Sequence, residues 1–182
     1  MDKSLKDELV KMAEADQHVL QELAERGELG TTEYHPKIKE VHMKNTARMK
    51  EIIEKYGWPG NDLVGQDGTE AAWMIVQHAV LDIDFMKSCV PLLENAVKRQ
   101  QAEGWQLAFL QDRLLTIAGQ PQIYGTQFDH DVDGWPVPYP IADEVNVNQR
   151  RAELGLNSLE ERIAEMRKLE KWVRDQRDKN SS

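Results

Sequence analysis

Residues 3 to 26 place Leu5, Leu9, Met12, Ala13, Val19, Leu20 and Leu23 three or four positions apart among charges. That is the period of an amphipathic helix with one buried stripe. It ends at Gly27 or Gly30, where glycine closes a helix, and a polar turn follows around Gly30 to Thr32. The pattern resumes over residues 36 to 56 through Ile38, Val41, Met49, Ile52 and Ile53, with Pro36 near the start and Gly57 just past the end. Gly57-Trp58-Pro59-Gly60 reads as a turn, because Pro59 has no backbone donor and the glycines admit angles that other residues avoid.

A third helix is expected over residues 69 to 81, entered through Asp67-Gly68-Thr69. Ala71 to Val76 are apolar nearly all round, so this helix is the expected centre of the fold. A fourth, from about 83 to 102, starts from Asp82 as cap and carries Pro91 inside. A fifth runs from Trp105 to Ala118 and stops at Gly119. The period then changes: Gln122 to Phe128 and Trp135 to Ile141 are short, rich in aromatic and β-branched residues, and separated by a turn ending in Asp133-Gly134. This predicts a β-hairpin whose second strand is held to an edge by Pro136, Pro138 and Pro140. A short helix over 144 to 154 closes at Gly155, and Ser158 with Glu161 forms a capping box for a final helix to about 177, with Lys179 to Ser182 frayed. The expected fold is mainly α: a single-domain helical bundle, residues 1 to 182, with a short β-hairpin insertion near residues 122 to 141.

Composition narrows the function. No apolar run among the 182 residues approaches the roughly 20 needed to span a bilayer. Met1 to Lys11 lacks the apolar core of a secretory signal, so a cytoplasmic location is the default. Cys89 is the one cysteine, which excludes an intrachain disulfide and a thiolate-rich metal site. With 23 basic and 32 acidic residues the net charge is -9, which disfavours nucleic acid as a partner. The basic region Arg162 to Lys179 is interleaved with Glu165, Glu170, Asp175 and Asp178, as on a solvated helix face.

Candidate chemistry centres on His78, which follows Gln77 at the end of the most apolar helix. A histidine there is either a core residue satisfied by main chain or a general acid or base. Glu70, Met74 and His78 share one helix face, with Trp73 and Gln77 on the next. Asp112-Arg113 interrupts an apolar helix and reads either as a structural ion pair or, through Arg113, as the holder of an anionic ligand. Asp129 to Gly134 opens like a calcium loop, but Pro140 stands where the bidentate Glu is needed, so a hairpin turn is the expectation. No Gly-rich phosphate loop, HExxH pair or GxSxG elbow occurs. Asp16, His18, Glu70 and His78 are the residues two helices would gather for a metal, yet no close ligand pair occurs, and neither metal nor cofactor is expected.

One series of motifs carries a resemblance: Asn45-Thr46-Ala47-Arg48, Gly57-Trp58-Pro59, Ala71-Ala72-Trp73 followed by Gln77-His78-Ala79, Asp112-Arg113, Tyr124 to Phe128, and Arg150 to Leu156. Together, from about residue 8 to 160, they resemble a bacterial family of unknown function. The family pattern also has an Asp-Gln pair in the first helix, matched by Asp16-Gln17, and an acidic residue after Gln-His-Ala, where this chain has Val80. The motif residues Asn45, Arg48, Gln77, His78, Asp112, Arg113, Tyr124 and Gln127 are polar yet several lie in apolar stretches, which suggests convergence on one pocket. The expectation is a small cofactor-independent enzyme, a hydrolase or group-transfer catalyst for a polar or anionic small molecule. In it His78, Asp112, Arg113 and Tyr124 are catalytic, with Asp112 or Glu70 beside the imidazole, and Asn45, Arg48, Gln77, Gln127 and Asp16 bind substrate. The alternative is a non-catalytic ligand-binding or interaction domain, whose final helix offers Leu159, Ile163, Met166, Leu169 and Trp172 to a partner protein or to the domain itself.

Overall fold

The computed structural model describes residues 1–28 and 34–180, so the expected turn at Gly30 to Thr32 and the tail residues Ser181 and Ser182 lie outside the described residues. The protein is mainly α, with 68% of the described residues helical, and has a two-stranded antiparallel hairpin. It divides into two compact units, Met1–Ala102 and Glu103–Ser182.

The first unit holds α1 (Lys3–Glu25), α2 (Pro36–Tyr56), α3 (Asn61–Gln77) and α4 (Ile83–Lys98). α3 is its centre, packing against α1, α2 and α4 as its apolar surface requires. Leu9 and Leu23 from α1, Met49 and Ile52 from α2, Ala72, Ile75 and Val76 from α3, and Met86, Cys89 and Leu93 from α4 fill the core. Side-chain caps start three of these helices: Asp2 accepts from Leu5 N–H at 3.0 Å, His35 Nδ1 from Lys37 N–H at 3.2 Å and Asp82 from Phe85 N–H at 3.1 Å.

α3 departs from the predicted boundaries at both ends. It begins at Asn61 rather than 69, with a break at Gly65 (φ 70°, ψ 172°), and stops at Gln77 rather than 81. The break is pinned by Thr69, whose hydroxyl donates to the carbonyls of Pro59 and Gly65, both at 3.1 Å. Gly68 thus lies inside the helix and not in an entry turn. Gly60 matters for a different reason: a Cβ there would sit 2.7 Å from the Cβ of Gln101, whose carbonyl accepts the N–H of Asn61 at 2.9 Å.

Burial among these helices pushes the Cys89 thiol up to about 12. Native protein at pH 8 is therefore expected to resist a thiol reagent such as an aromatic disulfide, and to react with one equivalent once denatured. Rapid labelling of the native chain would show that this core opens readily.

The second unit holds α5 (Gly104–Ile117), β1 (Phe128–His130), β2 (Pro136–Pro138), α6 (Val147–Glu153) and α7 (Leu159–Asn180). The predicted capping box is present: Ser158 N–H donates to Glu161 at 2.8 Å and Glu161 N–H to Ser158 Oγ at 3.2 Å. The strands are three residues each, paired Phe128 to Pro138 through His130 to Pro136, shorter than the predicted 122 to 128 and 135 to 141. The reason lies in two side chains that take the N–H groups a longer ladder needs. Asp112 accepts from the N–H of Ile123, Tyr124 and Thr126, and Gln122 Oε1 accepts from Gln127 N–H at 2.9 Å. Asp131 spends an oxygen on the N–H groups of Asp133 (3.0 Å) and Trp135 (2.8 Å), which makes the Asp129 to Gly134 stretch a turn. No helix among the described residues is long and apolar enough to cross a membrane.

Candidate functional site

Within the first unit, α1, α2 and the end of α3 each contribute one polar residue to a common point. On α1, Leu9, Asp16 and Leu23 are seven apart and all buried, so Asp16 lies on the apolar stripe. On α2, Ile38, His42, Asn45, Met49 and Ile52 alternate by four and three and are likewise buried. His78 caps the C-terminus of α3, its N–H still donating to Met74 O at 3.1 Å.

The three side chains meet closely. His42 Nε2 lies 2.9 Å from Asp16 Oδ1, and His78 Nδ1 lies 2.5 Å from Asp16 Oδ2. The imidazole centroids are 4.9 Å apart with ring planes inclined by 31°. Each residue offers one ligand atom such that all three lie within 4.8 Å of one another, which makes this the set of described residues able to hold a metal ion. The far nitrogen of His42, Nδ1, meets the hydroxyl of Tyr34.

Burial is graded across the cluster: the Asp16 side chain is 1% exposed, that of His42 7% and that of His78 23%. Burial alone drives the Asp16 carboxyl upward, but hydrogen bonds from His42 and His78, with their nearby charge, outweigh it and hold the group at about 2. A fixed negative charge thus sits beneath an imidazole that reaches the surface at the negative end of a helix.

Other predicted site residues of the first unit make different contacts. Asn45 donates from Nδ2 to Met12 O at 3.0 Å and joins α2 to α1. Arg48 is committed to Glu8, through Nε at 2.6 Å and a second nitrogen at 3.1 Å, and to Glu51 at 2.5 Å. Gln77 is buried, and neither polar atom of its amide has a hydrogen-bond partner among the described residues. His18 and Glu70 line a groove of about 400 Å³ with Gln17 and Met74, and neither Asp16 nor His78 lines it.

Asp112, Arg113, Tyr124 and Gln127 belong to the second unit, where Asp112 has a structural occupation. Its two oxygens accept the N–H groups of Ile123 (2.8 Å), Tyr124 (3.1 Å) and Thr126 (3.0 Å) and the Thr126 hydroxyl (2.9 Å). Within the first unit, the carboxylate hydrogen-bonded to His78 is that of Asp16. Gln127 donates from Nε2 to Thr126 Oγ1 at 3.1 Å. The buried Arg151 completes this network, donating to Tyr124 O at 2.7 Å and Asn157 O at 2.6 Å beneath Gly125, where a Cβ would strike Leu159 Cδ1 at 2.7 Å.

Sequence reasoning missed His42 and Tyr34. His42 was legible in principle, since it occupies the gap between Ile38 and Asn45 in the three-and-four pattern. Tyr34 stands outside any periodic segment and carries no such signal.

Fold and site together define a mainly helical protein with a buried carboxylate shared by two imidazoles. The chain belongs to the family of unknown function DUF6624, whose model matches residues 3–171. No curated protein and no solved structure matches it.

Proposed function

We propose that this chain is a small enzyme, a hydrolase or group-transfer catalyst for a polar or anionic small molecule, with its reaction centre at Asp16, His42 and His78. One observation carries the reading: both oxygens of a carboxylate removed from water are taken by imidazoles, and one of those imidazoles is open to solvent. Keeping a charge there costs desolvation that an apolar side chain would avoid. Hydrolysis and group transfer both need a place where an attacking water or hydroxyl loses its hold on a proton. The outer edge of His78, backed by the charge of Asp16, is such a place. Asp112 is outside this proposal, because its oxygens are occupied by main chain.

The test is a panel of chromogenic esters, amides, phosphate monoesters and glycosides, run with and without added divalent cation. Wild type is expected to turn over at least one class, and His78→Gln to lose about 100-fold or more while melting within a few degrees of wild type. Silence across the panel, or full activity in the variant, counts against the enzyme. A second reading, a non-catalytic interaction domain, draws on Leu169 and Trp172, exposed on α7 at 55% and 60%. Unchanged binding behaviour in Trp172→Ala would remove its support.

A further inference from the structure

We infer that Asp16, His42 and His78 form a binding site for one divalent transition-metal ion, with Asp16 Oδ, His42 Nε2 and His78 Nδ1 as the ligand atoms. The inference deepens the proposed reaction centre by naming what it holds, and metal binding can be read separately from turnover.

The same protein shows how it satisfies a carboxylate that is only structural. Asp112 is met by three backbone N–H groups, which have no lone pair to offer a metal, and by one hydroxyl, with no imidazole or second carboxylate among these partners. Asp16, equally buried, is met among the described residues by two imidazole nitrogens from two other elements, and each of these can present a lone pair instead of a proton. Three ligand atoms within 4.8 Å of one another already surround a common point. Distances of about 2.0–2.2 Å from a metal to each would need only small side-chain adjustments.

The surroundings fit as well. Ligating histidines characteristically have the second ring nitrogen held by an outer partner that fixes the ring. Tyr34 does this for His42 Nδ1, and a hydroxyl suits both states. It donates when Nε2 carries the proton, and accepts from Nδ1–H when the Nε2 lone pair faces a metal. The partial exposure of His78 supplies an entry path and leaves a coordination position that water or substrate can take. Two nitrogens and one carboxylate suit zinc, cobalt, manganese, iron or nickel, not calcium or magnesium, which prefer oxygen. A cation there would make a bound water a better nucleophile near neutral pH.

The experiment titrates full-length protein, stripped with chelator, with Zn2+ by calorimetry and with Co2+ by its visible ligand-field bands. Wild type is expected to take up one equivalent. Asp16→Asn and His78→Gln, each checked for native circular dichroism, are expected to bind about 30-fold more weakly or worse, and Tyr34→Phe about tenfold more weakly. The inference is overturned if wild type binds no better than the triple variant Asp16→Asn/His42→Gln/His78→Gln, or if Co2+ shows only the spectrum of the hydrated ion. Stoichiometric uptake without turnover on any substrate keeps the metal site and removes the enzyme reading. Turnover by stripped protein that takes up no Zn2+ does the reverse.

Discussion

Asp112→Ala is expected to destabilise the protein by about 3–4 kcal/mol, lowering the melting temperature by roughly 10 °C. The methyl group would leave the N–H groups of Ile123, Tyr124 and Thr126 and the Thr126 hydroxyl without their acceptor, all in one buried turn. Asp112→Asn keeps the shape and one acceptor oxygen but turns an amide N–H toward groups that are themselves donors, so about half the loss is expected. Urea or thermal unfolding followed by circular dichroism reads both. A melting point within about 2 °C of wild type for Asp112→Ala would contradict this account of the turn.

Asp16→Ala is expected to cost about 2–3 kcal/mol, because it strands the ring nitrogens of His42 and His78 in a packed seam between helices. Asp16→Asn should cost less than half as much. Its oxygen serves one imidazole N–H, and its amide donates to the other ring once that ring has shifted its proton to the far nitrogen. The pair of variants separates roles: the Asn variant keeps the fold while removing the charge on which the reaction centre and the cation site depend. Denaturant unfolding of the two, measured side by side, decides the matter. Equal stability of Asp16→Ala and wild type would mean that the carboxylate does not bridge the imidazoles.

The local elements were legible in the chain. Three-and-four spacing marked α1 and α2, Pro36 and Gly57 bracketed α2, and Ser158 with Glu161 announced α7, because periodicity and caps are properties of neighbouring residues. The errors came where distant side chains competed with local pattern. Residues 122 to 127 have strand composition, yet Asp112, ten or more positions upstream, draws their N–H groups into a turn. α3 looked as though it began after Gly68, but the hydroxyl of Thr69 and the break at Gly65 allow helix on both sides.

The candidate site was half legible. His78 stood out as a polar residue at the end of the most apolar helix and Asp16 through the family's Asp-Gln pair, whereas their joining did not, nor did the part played by His42. Positions 16 and 42 lie on two helices and 78 at the end of a third, and whether such polar residues meet depends on how those helices rotate and slide against each other. What the sequence by itself determined is a mainly helical chain with named helices, their caps and a set of polar residues on buried faces. Only the tertiary structure decided that three of these share one point and that Asp112 serves a turn instead, because helix periodicity fixes the face a residue occupies but not the face it meets.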